Sequence, residues 1–292
     1  MITRYQHLPP QIRDEVLALI ASATDSDGIP PVAEHVLLHL RHGGDKADSH
    51  LVATKDDVVA GYAHLDLTDA VEGPSAELVI APQFRQSGIG SELLKSLTET
   101  PKLRLWSHGD LPGAKNLALS NGFTRVRTVI QMRRSLTDPI PEIDPNIPIR
   151  SFLPGIDNQA WLELNNRSFT SHPEQSNWSE RDLEIRTKES WFDPSGFLIS
   201  EIDNQLAGFC WTKVHGGDHD PIGEIYVMGV DPKFQGRGIG RAVTIAGLKH
   251  LRYQGIFSAM LYVDEKNTAA INLYKSVGFT EWGRDVLYRL AD

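Results

Sequence analysis

Two short segments of this chain combine residue types and a spacing that suit the binding of a phosphate. They are Arg85-Gln86-Ser87-Gly88-Ile89-Gly90 and Gln235-Gly236-Arg237-Gly238-Ile239-Gly240. Each follows an apolar run that reads as a strand, over 76–81 and 224–230. Each opens a stretch that reads as a helix, over 89–97 and 239–251. A helix N-terminus presents unpaired N–H groups and a partial positive charge. Glycine tolerates positive φ and lets the backbone approach an anion closely. The chemistry suggested is capture of a pyrophosphate, with Arg85, Arg237 and Arg241 able to add charge. One such turn is equally a plain strand-to-helix connection; two in the same context point to a ligand. The spacing is not that of a dinucleotide-binding loop, and no acidic residue follows on a second strand. No Gly-Lys-Ser/Thr is present, which excludes a nucleotide P-loop.

The elements that must carry these turns form a repeat. Ala60-Gly61-Tyr62 echoes Ala207-Gly208-Phe209, the two turns echo one another, and Ser120-Asn121-Gly122-Phe123-Thr124 echoes Ser276-Val277-Gly278-Phe279-Thr280. The order is the same in each half, and the offsets grow slowly from 147 to 150 to 156 residues. Three collinear echoes indicate duplication of a unit of ordinary domain size. Residues 138–148 hold four prolines and are expected to form a stiff, extended linker. The predicted division is a domain over 1–137, the linker over 138–148 and a second domain over 149–292. Each half reads as mixed α/β. Ile12, Val16, Leu19 and Ile20 have helical spacing. β-rich runs follow at 51–54 and 58–67, and again at 197–201 and 206–214, each pair split by an acidic turn. A strand over 259–263 and a helix over 268–276 complete the second half.

Composition narrows the partners. The chain has 292 residues and a net charge of -9, shared by both halves, which argues against nucleic-acid binding. No apolar run approaches the ~20 residues of a membrane helix, and the N-terminus has no signal-peptide core, so no membrane segment is expected. The single cysteine, Cys210, allows no intrachain disulfide and fits a reducing, cytoplasmic setting. It is expected inside a strand as a small apolar residue. His215, Asp218, His219 and Asp220 cluster in a Gly/Asp-rich stretch without the ordered spacing of a zinc site, so no metal is expected.

The turn, Arg/Gln-x-x-Gly-x-Gly after an apolar strand, resembles the acetyl-CoA pyrophosphate loop of the GNAT acetyltransferases. The segment Asn267-Thr268-Ala269-Ala270-Ile271-Asn272-Leu273-Tyr274 through Gly278-Phe279 is similar to that family's C-terminal motif. The likeness covers both halves and is specific in the second. It implies two tandem GNAT acyl-CoA N-acyltransferase domains of mixed α/β fold. It also implies acetyl-CoA as cosubstrate, held in the second half by Met228, Gly229, Val230, the turn from Gln235 to Arg241, and Asn267, Thr268, Ala269, Ala270, Ile271 and Asn272. In the first half the matching positions are Leu78, Val79, Ile80 and the turn from Arg85 to Gly90, which implies a second acetyl-CoA held without turnover. A degenerate scaffold is the alternative there.

Local strings resemble the mycothiol-forming tandem branch of that family. These are Pro31-Val32-Ala33-Glu34, Ser171-His172-Pro173-Glu174-Gln175, Trp191-Phe192-Asp193-Pro194, Trp211-Thr212-Lys213-Val214-His215 and Gly223-Glu224-Ile225-Tyr226-Val227. The resemblance implies a thiol pseudodisaccharide, cysteine–glucosamine–inositol, as acceptor. Glu34, Glu174, Lys213, Glu224 and Tyr262 are its implied contacts. Aligned on the turn, Glu224 falls opposite Pro74; aligned on Gly-Phe, Tyr274 falls opposite Ala118 and Asn267 opposite Leu111. Glu224 is therefore expected as general base and Tyr274 as the acid for the departing thiolate, in the second half alone. From the residues alone, Glu224 reads first as a solvated strand-edge acid and Tyr274 as a packing aromatic, and it is the resemblance that reverses that order. Another amine acceptor and a non-catalytic acyl-CoA sensor remain open as functions. The linker suggests one chain doing the work of a dimer, so a monomer is expected.

Overall fold

Alternating apolar residues give the strands of this chain two hydrophobic faces, and helices cover both. The computed structural model describes residues 1–42, 49–67, 73–170, 178–215 and 221–291. The chain divides into two compact units, Met1–Val129 with Arg284–Asp292, and Ile130–Gly283.

Unit 1 contains β1 (Ile2–Tyr5), α1 (Pro10–Asp27), α2 (Glu34–His42), β2 (Ser49–Lys55), β3 (Val58–Asp66), β4 (Ser75–Ile80), α3 (Ile89–Leu97), β5 (Arg104–Ser107) and α4 (Pro112–Ser120). β6 (Phe123–Ser135) begins in unit 1 and ends in unit 2. Unit 2 continues with β7 (Ile149–Ser151), α5 (Asn158–Ser168), α6 (Glu180–Thr187), β8 (Phe197–Ile202), β9 (Gln205–His215), β10 (Ile222–Val230), α7 (Ile239–Tyr253), β11 (Ser258–Asp264) and α8 (Thr268–Ser276). β12 (Thr280–Leu290) starts in unit 2, and its residues from Arg284 onward belong to unit 1. The strand order is β1-β2-β3-β4-β5-β12 in unit 1 and β6-β11-β10-β9-β8-β7 in unit 2. Both sheets are mixed: β4–β5 and β10–β11 are parallel, and the hairpins β3–β4 and β9–β10 are antiparallel. The expected mixed α/β architecture of each half is met.

Two-residue alternation sorts the side chains. In unit 1, Leu51, Ala63, Leu65 and Ala76 pack against Leu93, Leu94 and Leu97 of α3. Val52, Tyr62 and Val79 point the other way, against Val16, Leu19 and Ile20 of α1 and Val36 and Leu40 of α2. In unit 2, Cys210 and Ile225 pack under Val243 and Leu251 of α7. On the opposite face Phe209, Trp211 and Val227 meet Trp161 and Leu164 of α5 and Leu183 of α6. Burial of these side chains is worth about 1.5–3 kcal/mol each, which is what holds the helices to the sheets.

The repeat suggested two halves in sequence order, whereas the compact units are not collinear. Val286 to Arg289 pair antiparallel with Ser107 to Arg104, so β12 closes the edge of β5. Val286 and Tyr288 complete the core there. Residues 138–148 form no helix or strand, yet Ile140 is buried in the unit 2 core and Ile143 packs against it.

Candidate active site

The two glycine turns have the backbone that their spacing implies. Gly238 precedes α7 at φ 80° and Gly88 precedes α3 at φ 88°, and neither helix has a side-chain cap. One turn earlier in each motif, Gly236 holds φ 77° and Gln86 holds φ 57°. No atom lies within 4 Å of where a Cβ would stand on Gly236 or Gly88. The glycines therefore serve φ and an open face, and the uncapped N–H groups of the helix start fit a pyrophosphate. The charges differ between units. Arg85 is engaged by Asp27, with both N–O distances 2.7 Å, and it donates to the Ile80 carbonyl at 3.2 Å. It braces its own turn. Ser87 closes the same turn by donating to the Phe84 carbonyl at 2.6 Å. In unit 2, the Arg237 guanidinium lies 5.3 Å above the Phe234 ring, and Arg241 sits half-buried on α7.

The strand before the unit 2 turn is irregular at one residue. β10 pairs with β9 in steps from Val230↔Gly208 to Val227↔Trp211, then slips, and resumes at Ile225↔Thr212 and Glu224↔Lys213. Tyr226 is the extra residue of this bulge. The parallel ladder to β11 joins Gly223↔Ala259 and Glu224↔Met260 and goes no further. Beyond Glu224, the edge of β10 that includes Met228, Gly229 and Val230 thus has backbone groups to offer a ligand.

Glu224 stands where the strands part. Its carboxylate is 10% exposed, and Oε2 lies 2.5 Å from His215 Nε2. Among the described residues, Oε1 has no hydrogen-bond partner. Lys213, opposite Glu224 in register, is buried with its ammonium 4.4 Å over Trp191 and 5.3 Å over Tyr226. Burial drives its pKa down and the charge of Glu224 pulls it back, leaving it at about 8. Tyr226 is fixed in turn. Arg186 donates to its hydroxyl at 2.9 Å, and its ring meets Trp191 and Trp211 edge-on at 5.2 and 5.5 Å. A rigid aromatic wall therefore backs the charged pair.

The remaining predicted residues fall as follows. Tyr274 is buried on α8 against Phe279, and burial pushes its phenol pKa up, so it holds its proton. Asn267 caps α8 by accepting from the Ala270 N–H at 3.1 Å, and Thr268, Ala269, Ala270, Ile271 and Asn272 form that helix's first half. Tyr262 on β11 is partly exposed, and its hydroxyl accepts from Gln131 at 2.6 Å. Glu34 opens α2 in unit 1 and is half-buried. Glu174, Asp218, His219 and Asp220 lie outside the described residues. Cys210 is fully buried beneath Gly247, and burial pushes its thiol up, so it is a packing residue. Sequence reasoning gave no site role to His215, Trp191, Tyr226, Arg186 or Gln131. Alternation along β9 puts Lys213 and His215 on one face, which is a usable signal once the hairpin register is known.

Strand register also revises the comparison of the two copies. Counting residues sets Glu224 against Pro74, but the bulge adds one residue to β10. Asp66↔Ser75 in unit 1 is the pair that corresponds to Lys213↔Glu224 in unit 2. Unit 1 thus has neither base nor lysine there, and Ala118 stands in place of Tyr274. Its parallel ladder also continues to Glu77↔Trp106. At that end Glu77 lies 3.5 Å from His108, which lies 3.2 Å from Asp285. A buried charge cluster fills the point where β4 and β5 would part.

Comparison with known proteins agrees with this geometry. A model of the acetyltransferase (GNAT) family matches residues 158–279, and a GNAT acetyltransferase domain model matches residues 46–125. The mycothiol acetyltransferase of Acidothermus cellulolyticus is 49% identical, covering 98% of this chain and 94% of that protein. That of Thermobispora bispora is also 49% identical, covering 96% of each. Among solved structures, a GCN5-related N-acetyltransferase from Sphaerobacter thermophilus superposes with a TM-score of 0.69 at 23% identity, covering 99% of this chain and 95% of that one. A tandem GNAT protein from the clavulanic acid biosynthesis pathway superposes with a TM-score of 0.74 at 18% identity, covering 99% and 97%. These two likenesses bear on the fold, while the full-length relatives decide the family: this chain belongs to the mycothiol acetyltransferases, with a GNAT domain in each half.

Proposed function

We propose that this chain transfers an acetyl group from acetyl-CoA to the cysteinyl amine of a cysteine–glucosamine–inositol pseudodisaccharide, giving mycothiol, with unit 2 as the catalyst. The observation that carries the assignment to unit 2 is Glu224, a nearly sealed carboxylate at the point where β10 leaves β11, with Lys213 opposite it. The names of the full-length relatives support the donor and the product.

Bound acetyl-CoA supplies the acetyl group as an activated thioester. The turn over 235–240 and the uncapped start of α7 hold its pyrophosphate, with Arg237 and Arg241 adding charge. The free edge of β10 at Met228, Gly229 and Val230 pairs with the pantetheine and polarises the thioester carbonyl. Glu224 Oε1 takes a proton from the acceptor's ammonium. The freed amine forms its N–C bond to the carbonyl carbon, the C–S bond breaks, and Tyr274 protonates the departing sulfur. Burial that raises the phenol pKa raises the basicity of a thiolate beside it too, so the transfer stays matched. Lys213 donates to acceptor hydroxyls, and Tyr262, held by Gln131, lines the same cleft. Unit 1, with Leu78, Val79, Ile80 and the turn from Arg85 to Gly90, holds a second acetyl-CoA without turning it over.

Glu224→Gln tests the core of this reading. Turnover should fall by ~10²–10⁴ while acetyl-CoA affinity in calorimetry stays level. Undiminished turnover overturns the assignment of the base.

A further inference from the structure

Acyl transfer as described uses one oxygen of Glu224, and the other is already engaged. Oε2 meets His215 Nε2 at 2.5 Å, a close hydrogen-bond contact. The two side chains come from adjacent strands and share a face. Lys213 is paired with Glu224, Val214 with Gly223 and His215 with Ile222, so His215 reaches Glu224 diagonally across the hairpin. The carboxylate is 10% exposed and the imidazole 34%. The ring therefore closes the solvent side of the base. Glutamate has three rotatable side-chain bonds, and a general base must present one oxygen within hydrogen-bond reach of the proton it takes. With Oε2 pinned, only Oε1 is left to face the acceptor.

Resting on the reading of Glu224 as general base, we propose that His215 is a positioning residue for the acetyl transfer. Its Nε2–H holds Glu224 Oε2 and so fixes Oε1 toward the acceptor ammonium. Among the described residues, the charged and titratable groups around that carboxylate are His215 and Lys213 from β9 and Tyr226 from β10, the last carrying Arg186 from α6. Of these, His215 is the one that bonds it directly.

Three variants of the full chain test this: His215→Leu, His215→Gln and Glu224→Gln. Leucine removes the donor. Glutamine keeps an N–H close to the position of Nε2 but cannot titrate. The first readout is the carboxyl ¹³C resonance of Glu224 at one fixed pH, assigned by its loss in Glu224→Gln, which needs no turnover. It should move and broaden in His215→Leu, as the carboxylate loses its single fixed orientation, and keep its parental position in His215→Gln. The second readout is steady-state acetylation of the pseudodisaccharide amine. In His215→Leu, kcat should fall roughly 10–100-fold with the acetyl-CoA KM unchanged. In His215→Gln, kcat should recover to within about threefold of parental. An unmoved and unbroadened Glu224 resonance in His215→Leu overturns the proposal, as does a His215→Gln variant no better than His215→Leu. If Glu224→Gln alone retains full turnover, the base assignment fails instead, and the carboxyl resonance still decides whether His215 holds the carboxylate.

Discussion

Replacing Glu77 with glutamine should destabilise unit 1 by about 3–5 kcal/mol, the usual cost of removing one partner from a buried ion pair. The side chain of Glu77 is 4% exposed and that of His108 is 13% exposed. Glu77 accepts the Ala33 N–H at 2.6 Å, and His108 also meets Asp285, whose other oxygen accepts the Gly109 N–H at 2.8 Å. Burial alone would push the Glu77 carboxyl up, yet the His108 charge overrides it and brings the pKa from 4.5 to about 2. Burial likewise works against the His108 charge, but Glu77 and Asp285 raise its pKa from 6.5 to about 10. That displacement corresponds to ~5 kcal/mol, which contains the Glu77 interaction seen from the histidine side together with that of Asp285 and is not an addition to the cost above. Glutamine can still accept from Ala33, so the substitution removes the charge and little else.

The pH dependence has a definite sign. The His108 contribution is full below pH 6.5 and is lost as pH rises through about 10. The Glu77 contribution is full above pH 4.5 and is lost as pH falls through about 2. The cluster therefore supports unit 1 fully between pH 4.5 and 6.5. Trp106, the one tryptophan in unit 1, stacks on His108 at 6.3 Å and reports on the cluster directly. Urea unfolding of 5-fluorotryptophan-labelled protein, followed at the Trp106 ¹⁹F resonance, separates unit 1 from the five other tryptophans in unit 2. At pH 6, Glu77→Gln should unfold at markedly lower urea, and the gap to the parent should narrow toward pH 10. A gap below ~1 kcal/mol at pH 6, or one that does not narrow, refutes the reasoning.

Two further predictions concern unit 2. Lys213 should lose its ammonium as pH rises through about 8, so the acceptor KM should climb there while the acetyl-CoA KM stays level. In Lys213→Met the acceptor KM should be high and flat with pH, and a parental KM that is level to pH 9 contradicts the role. Gly236→Ala puts a Cβ on backbone at φ 77° and should cost about 1–2 kcal/mol in thermal unfolding of unit 2. Gln86→Ala, at a position that already bears a side chain at φ 57°, should cost under ~0.5 kcal/mol in unit 1. Equal costs at the two positions would count against left-handed strain as the reason for the glycine.

What was legible in the sequence was local. The turn over 235–240 announces itself because glycine is the residue suited to φ 77° and 80° between a strand and a helix. β11 and α8 fall within a residue of where an apolar run and helical spacing set them. Register was not legible. Nothing local marks Tyr226 as the extra residue of β10, so counting put Pro74 where the hairpin puts Ser75. His215 was hidden for the same reason: its contact with Glu224 depends on the register of β9 against β10. The cluster of Glu77, His108 and Asp285 was further out of reach, because His108 and Asp285 are 177 residues apart and meet only through pairing of β5 with β12.

The divergence of the two copies comes down to where a parallel ladder stops. In unit 2 the bulge at Tyr226 breaks the register of β10, and pairing with β11 ends at Glu224. An inserted residue bends a strand and frees its edge, so the last paired position becomes the mouth of a cleft. In unit 1 the β3–β4 register runs unbroken from Asp66↔Ser75 to Gly61↔Ile80, and pairing with β5 extends two residues further, to Glu77. Pairing stops short of Leu78, Val79 and Ile80, so a binding edge is kept, but the position matching the base lies inside the ladder and the point where the strands part holds His108 between two carboxylates. A carboxylate at Ser75 would face Asp66 instead of a lysine, beside a closed ladder. One substitution therefore cannot turn unit 1 into a copy of unit 2. The phosphate turn survives in both because it depends on a few adjacent backbone angles, whereas the chemistry depends on an insertion that only one copy has.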